Sequence, residues 1–213
     1  STAPASPISV DIGIASLLVT ATTPAAAHHA MDGATPATFA QGLLSGLGHP
    51  VIGPDHLAFL VAMGIAAACL GARPAVILGF VAASLLGVAG HVMLLGLPLV
   101  EPMIALSVLA AGVLILQAGR RVATALHVWL ALATVSGLLH GYAFGEAIVG
   151  APAPALAGYL LGLAAMGTAL PAAVMLLTRR LASRGSVLAA LKASGATLGS
   201  LGVVLLASSL VGA

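Results

Sequence analysis

From residue 38 onward the chain is a series of long apolar runs, separated by short connections that contain glycine, proline or arginine. A bilayer's hydrocarbon core is crossed by about 20 predominantly apolar residues in an α-helix. Only 6% of the residues are charged and 61% are hydrophobic, whereas a soluble domain has about 25% charged residues. The composition therefore excludes a soluble enzyme, a nucleic-acid-binding protein and a disordered chain.

The sequence predicts an all-α, polytopic membrane protein that is embedded in the lipid bilayer. A transmembrane β-barrel would need strands in which apolar and polar residues alternate, and the runs here are continuously apolar. Six transmembrane helices are predicted, and they cover residues 38–70, 74–97, 102–118, 122–144, 154–177 and 187–210. The single cysteine, Cys69, excludes an internal disulfide and a cysteine-ligated metal site.

Residues 1–27 have a different character from the rest of the chain. A short apolar stretch at residues 12–19 is followed by small residues, which is typical of a secretory signal peptide cleaved after Ala27. The alternative is that this segment is retained as a seventh, N-terminal helix. In either case, residues 28–213 are predicted to form a single transmembrane domain.

The first run, residues 38–70, is too long for one straight span. As a single helix it would measure about 50 Å, against a hydrocarbon core of about 30 Å. It also contains His49-Pro50 and Gly53-Pro54 near its middle, and proline removes a backbone donor and clashes with the preceding turn. We therefore expect the helix to break within residues 49–54, with Asp55 near the start of the second piece.

All seven lysine and arginine residues fall on one side of the six-span arrangement. They are Arg73, Arg120, Arg121, Arg179, Arg180, Arg184 and Lys192. Because loops on the cytoplasmic side are enriched in lysine and arginine, this side is predicted to be cytoplasmic. Glu101 and Glu146 then belong to the outer side.

This topology brings four polar residues to a similar depth in the outer half of the membrane: His49, Asp55, His56 and His140. An ionised side chain at the bilayer centre costs at least about 2.5 kcal/mol, so Asp55 is a functional candidate. Imidazoles beside a carboxylate suit a divalent transition metal, whereas Ca²⁺ and Mg²⁺ prefer oxygen ligands. We predict that the four residues meet in a polar pocket that opens outward. The structural alternative is that Asp55 and His56 form a hydrogen-bonded pair that holds the kink.

Four further residues are assigned to the entrance of this pocket rather than to the immediate surroundings of the ion: Glu146, His91, His28 and His29. The alternatives are a solvated polar loop for His28 and His29, and a structural role in the helix bundle for His91.

Two motifs in this chain resemble those of a known family. The stretch Gly42-Leu-Leu-Ser-Gly-Leu-Gly-His-Pro-Val-Ile-Gly-Pro-Asp-His-Leu-Ala-Phe resembles the first motif of the HupE/UreJ family of nickel and cobalt permeases, and His140-Gly-Tyr-Ala-Phe-Gly-Glu146 resembles the second. The start at His28-His29-Ala-Met is similar to the mature N-terminus of some members, and the resemblance covers residues 28–210. Many members have a second histidine where Phe144 stands, so this chain departs from the family there.

The resemblance implies a secondary transporter for uptake of Ni²⁺, or alternatively Co²⁺, from the periplasmic side of the bacterial inner membrane. The metal would serve hydrogenase or urease maturation. By motif match the resemblance points to His49, Asp55, His56, His140 and Glu146 as the metal-binding residues.

Two other functions stay open from the sequence. One is a membrane-embedded metalloenzyme, although the chain lacks the His-Glu-x-x-His pair that a metallohydrolase would use. The other is an electron carrier that binds haem between two histidines, for example His91 and His140. A transporter rather than an enzyme is the favoured interpretation. The sequence leaves the oligomeric state open, a homo-oligomer included.

Overall fold

The structure is a computed structural model, and it describes residues 35–117, 125–182 and 187–211. The predicted signal-like segment, together with His28 and His29, lies outside the described residues. Within those three ranges all regular secondary structure is helical, so the predicted all-α class is confirmed. The helices are α1 (Phe39–Ile52), α2 (Pro54–Cys69), α3 (Ala75–Val92), α4 (Val100–Leu116), α5 (Leu126–Gly145), α6 (Ala153–Ala182) and α7 (Val187–Val211), with a short 3₁₀ turn at Glu146–Ile148 after α5.

These helices correspond in order to the predicted membrane spans. Helices α3, α5, α6 and α7 are each long and apolar enough to cross a membrane, and the bent pair α1–α2 makes a fifth span when it is counted as one. Helix α4 is apolar but has only 17 residues, a length of about 25 Å at 1.5 Å per residue. It occupies the place of the predicted third span, so the polytopic architecture is confirmed.

The predicted break in the first span is confirmed, but it is narrower than expected. Gly53 alone is extended, with φ −75° and ψ 118°, and α1 and α2 meet there at an angle of 81°. Pro54 opens α2 at the first helical position, where its missing N–H is not needed. The expectation that the break reaches back to His49 and Pro50 is wrong, because both lie in the last turn of α1. A proline so near the helix end removes one backbone hydrogen bond without forcing the chain out of the helix.

Three pairs of helices pack backbone to backbone at two or more glycines each: α1 with α6, α3 with α5, and α4 with α7. Gly64 of α2 makes a single such contact, with Pro171 of α6. At each contact a Cβ atom added to a glycine would collide with main-chain atoms of the partner helix. Small residues allow this close approach between membrane helices. The contacts include Gly42 and Gly46 against Ala155 and Tyr159, Gly137 and Gly141 against Phe80 and Ser84, and Gly195 and Gly202 against Leu116 and Leu109. Gly42 and Gly46 lie four residues apart and therefore on the same face of α1, the one that packs against α6.

The order of these contacts gives the helix directions. Residue numbers rise together along α1 and α6 and along α3 and α5, so each of these pairs is parallel, whereas α4 and α7 are antiparallel. His140, near the end of α5, meets His56 at the start of α2. Tyr142, two residues further along α5, bonds the backbone of Leu95 and Leu97, just before α4 begins. Helices α2 and α4 therefore run opposite to α5, as the six-span topology predicts.

The helix directions determine at which end of the bundle each charged residue lies. Arg73 and the Arg179-Arg180 pair lie at one end of the bundle, and Glu101 and Glu146 lie at the other. The predicted separation of cations and acids is confirmed for these residues. The remaining arginines, Arg120, Arg121 and Arg184, lie outside the described residues.

Helix α2 forms the centre of the bundle between the break and the end that carries Arg73. Most of its residues between His56 and Ala67 are buried. Phe59 and Met63 on this helix join the main apolar core with Phe80 of α3 and Trp129 of α5. The histidines lie at the end of this core that adjoins the break.

Candidate metal site

Three histidines converge at the break in the first span. His49 lies in the last turn of α1, His56 in the first turn of α2, and His140 in the outer part of α5. Because the chain bends at Gly53, the rings of His49 and His56 face each other with their centroids 6.0 Å apart. The three side chains are nearly inaccessible to solvent, with exposed fractions of 4%, 5% and 0%.

The shortest contact in this cluster joins His56 and His140. Their Nδ1 atoms are 2.8 Å apart and their ring centroids 4.9 Å apart. Two imidazole nitrogens at this separation share one proton in a hydrogen bond. The contact joins residues of two different helices inside the apolar bundle.

Asp55 closes the first turn of α2. Its Oδ1 accepts a hydrogen bond from the backbone N–H of His56 at 2.8 Å and lies 3.9 Å from His56 Nδ1. A carboxylate at a helix N-terminus is stabilised by the free N–H groups and by the positive end of the helix dipole. The carboxylate therefore has a local structural role and also lies beside the imidazole cluster.

Ser107 of α4 holds the far side of the His140 ring. Its hydroxyl donates to the carbonyl oxygen of Ile104 at 2.6 Å, and its oxygen lies 3.0 Å from His140 Nε2. With the hydroxyl hydrogen directed to this carbonyl, the His140 contact is an Nε2–H donating to the Ser107 oxygen, since a hydroxyl has only one hydrogen. The lone pair of a neutral His140 ring is then on Nδ1, which faces His56.

Tyr159 of α6 holds His49 in the same way. Its hydroxyl donates to the carbonyl oxygen of Phe144 at 2.6 Å and lies 3.0 Å from His49 Nδ1. With the tyrosine hydrogen engaged by the carbonyl, His49 must donate its Nδ1–H, and the lone pair of the neutral ring is on Nε2.

The phenyl ring of Phe144 fills the space between the imidazoles. Its centroid lies 4.4 Å from the ring of His56, 5.2 Å from that of His49 and 6.4 Å from that of His140. The four predicted residues do come together, but the expectation of a polar pocket open to the outside is corrected. The cluster is buried around an apolar ring, and within the described ranges no three His, Cys, Asp or Glu side chains are arranged to hold a metal ion.

The chain matches the profile of the HupE / UreJ protein family over residues 16–205. This chain belongs to the HupE/UreJ family. The matched range contains both motifs and α1 to α6 completely, so the resemblance described above is confirmed. No curated protein and no solved structure matches the chain.

The residues that were assigned to the entrance lie away from the centre of this HupE/UreJ site. Glu146 is exposed in the 3₁₀ turn after α5. His91, in the last turn of α3, packs its ring on Tyr142 with centroids 4.4 Å apart, and its buried Nδ1 has no hydrogen-bond partner in the described part of the chain. His28 and His29 lie outside the described residues.

Sequence reasoning missed Ser107 and Tyr159, the two hydroxyl residues that hold the histidines. The sequence offers only weak indications of these two residues. Tyr159 is one of only two tyrosines, and Ser107 is a serine within an apolar run, where a bond to its own helix is the common arrangement.

Proposed function

We propose that this HupE/UreJ protein is a permease that takes up divalent transition-metal ions, Ni²⁺ in the first place and Co²⁺ in the second. Membership of a family associated with nickel and cobalt uptake supports a transporter rather than an enzyme. The observation that carries the proposal is the 2.8 Å contact between Nδ1 of His56 and Nδ1 of His140. Two buried imidazoles from different helices meet there, beside a carboxylate, at the break in the first span.

The distance between these nitrogens suits two ligands of one ion. Nitrogen ligands bind first-row metals at about 2.1 Å, and two of them in neighbouring positions of an octahedral or square-planar ion are then about 3 Å apart. The pair at His56 and His140 is separated by 2.8 Å. An ion bound by both nitrogens replaces the shared proton and lies to one side of the line that joins them. His49 and Asp55 then complete the set of residues that bind the ion. Imidazole nitrogen is a preferred ligand of Ni²⁺.

The charges at the two ends of the bundle support uptake as the direction of transport. The arginine-bearing end is the cytoplasmic one by the positive-inside rule, so Glu146 and His91 lie toward the periplasm. Together with His28 and His29 they would capture the ion before it reaches the buried cluster. A negative interior favours cation uptake by about 2.3 kcal/mol per charge for each 100 mV.

Release toward the cytoplasm needs a rearrangement of helices. Immediately below the imidazoles, the rings of Phe59 and Phe80 pack together with centroids 5.3 Å apart, and Phe59 also contacts His140. An ion cannot pass this apolar layer unless the helices that carry it move apart.

The test is uptake by the purified protein in liposomes. We expect accumulation of Ni²⁺ that Co²⁺ competes with more strongly than Zn²⁺ or Mn²⁺. His140→Gln should reduce the initial rate at least tenfold, since it removes one of the two nitrogens in contact. His127→Gln is the matched control, because His127 lies exposed in the first turn of the same helix at the cytoplasmic end. Equal uptake by the two variants would refute the site, and no uptake of any ion by the unmodified protein would refute the function.

A further inference from the structure

We infer that Ser107 and Tyr159 are positioning residues that determine which ring nitrogen His140 and His49 present to the ion. The effect on transport rests on the proposed function, whereas the assignment of the protons rests on the hydrogen bonds alone. Neither hydroxyl is on α1, α2 or α5, the helices that carry the candidate metal-binding residues. Ser107 belongs to α4 and Tyr159 to α6.

The Ser107 hydroxyl leaves the neutral His140 ring only one favourable tautomer. The side chain is 5% exposed, and inside a membrane no water competes for its hydrogen. That hydrogen is held by the Ile104 carbonyl at 2.6 Å, so the Ser107 oxygen is an acceptor only. The reverse tautomer of His140 would point the lone pair of Nε2 at the lone pairs of this oxygen. The proton is therefore held on Nε2 and the lone pair on Nδ1, toward His56.

The Tyr159 hydroxyl acts in the same way on His49 and joins three helices while doing so. It lies between the Phe144 carbonyl of α5 and the His49 ring of α1, and the Tyr159 residue is 0% exposed. Because its hydrogen is directed to the carbonyl, it accepts from His49 Nδ1–H. The lone pair of His49 is then held on Nε2.

Such bonds to the other ring nitrogen are a general feature of metal-binding histidines. They fix the tautomer and the ring orientation, and their loss lowers metal affinity or activity by about 10- to 100-fold. In this protein the acceptors are a serine and a tyrosine instead of the usual carboxylate or backbone carbonyl. A movement of α4 relative to α5 would therefore break the hydrogen bond between Ser107 and His140 and change the ion's affinity without touching the ion itself.

The proton positions are tested without any transport. We would record ¹⁵N NMR spectra of the metal-free protein, labelled at histidine and placed in lipid nanodiscs, since protonated and lone-pair ring nitrogens have well-separated shifts. The expected result is a proton on Nε2 of His140 and on Nδ1 of His49. In Ser107→Ala we expect the signals of His140 and of its partner His56 to change and those of His49 to stay the same. The opposite tautomers in the unmodified protein would overturn the inference.

The functional consequence is tested by Ni²⁺ uptake in liposomes. Ser107→Ala and Tyr159→Phe should each raise the KM for Ni²⁺ by about 10- to 100-fold, and Ser107→Thr, which keeps the hydroxyl, should restore it. Ser84→Ala is the matched control: Ser84 is also buried, and its hydroxyl donates to the carbonyl three residues earlier, Val81, at 2.9 Å.

An unchanged KM in Ser107→Ala and Tyr159→Phe, equal to that of Ser84→Ala, would overturn the positioning role. If the unmodified protein carries no Ni²⁺, the proposed function fails, and the NMR spectra still decide the proton assignment.

Discussion

Nδ1 of His56 lies 2.8 Å from Nδ1 of His140, although the two residues are separated by 84 positions in the sequence. The contact depends on the bend at Gly53, since a straight helix through residue 53 would carry His56 in a different direction. It also depends on α5, which brings His140 to the level where α2 begins. A local feature of one span and the packing of another thus produce the pair of nitrogens on which the proposed transport depends.

The charge of Asp55 should be essential for uptake. Asp55→Asn keeps the size of the side chain and an oxygen that can accept from the backbone of His56, so the first turn of α2 should persist. Without the charge, a divalent ion is less well compensated in the apolar interior, and we expect Ni²⁺ uptake to fall at least tenfold. Glu101→Gln is the control, because Glu101 also lies in the first turn of a helix but is exposed. Wild-type uptake in Asp55→Asn would show that the carboxylate serves the fold only.

Phe144→His should strengthen metal binding. The phenyl ring lies between the rings of His49 and His56, so an imidazole there adds a nitrogen within the cluster, as in the many family members that have histidine at this position. We expect the Kd for Ni²⁺, measured by calorimetry on detergent-solubilised protein, to fall about tenfold or more. Phe144→Leu separates the new nitrogen from the loss of the ring, and it should leave the affinity near that of the unmodified protein. A fall in affinity in Phe144→His would contradict the geometry.

The glycine contacts between α3 and α5 predict an unequal response to alanine. A Cβ at Gly141 would collide with main-chain atoms of Ser84, whereas a Cβ at Gly79 would meet only the Leu130 side chain, at 3.9 Å. Gly141→Ala should therefore lower the stability by about 1–3 kcal/mol through overpacking. Gly79→Ala should be neutral or stabilising, because alanine favours the helix. Thermal unfolding in detergent measures both, and equal midpoints would show that the two helices separate easily.

The membrane orientation can be measured by labelling single cysteines. Cys69 is the chain's one cysteine, so Cys69→Ser provides the background for Glu101→Cys and Arg73→Cys, two exposed positions at opposite ends of the bundle. In intact spheroplasts we expect a membrane-impermeant maleimide to label residue 101 but to reach residue 73 only after the membrane is permeabilised. The reverse pattern would invert the proposed direction of transport.

Much of this arrangement could be predicted from the sequence because the relevant signals are local. Pro54 fixes its own φ and disfavours the helix at the residue before it, and that residue, Gly53, is a poor helix former. The break was therefore predictable to within a few residues. Its extension to His49 was overestimated, because a proline in the last helical turn costs less than one in the middle. The candidate site was predictable because an acid and histidines are costly inside a bilayer.

The partners of the histidines could not be predicted, because they depend on how whole helices are rotated about their axes. Ser107 bonds a carbonyl three residues earlier, as Ser208 and Ser209 also do, and nothing in the sequence distinguishes the serine that also meets a histidine. That distinction comes from the packing that sets the facing surfaces of α4 and α5. The position of the Phe144 ring inside the cluster also depends on this packing. Because that position could not be predicted, we expected an open polar pocket where an apolar ring lies.

The three glycine-packed helix pairs divide the protein into plates that are stiff within themselves. One plate, α1 with α6, carries His49 and Tyr159; a second, α3 with α5, carries His140 and Phe144; the third, α4 with α7, carries Ser107. Both polar contacts of His140 therefore cross a boundary: the one with Ser107 lies between two plates, and the one with His56 lies between a plate and α2. The contact of His49 with Tyr159 lies within one plate, and Tyr159 also bonds the Phe144 carbonyl of another plate. An ion bound among these side chains would link neighbouring plates. The protein would exchange the ion when whole plates slide past one another while the close backbone contacts within each plate persist.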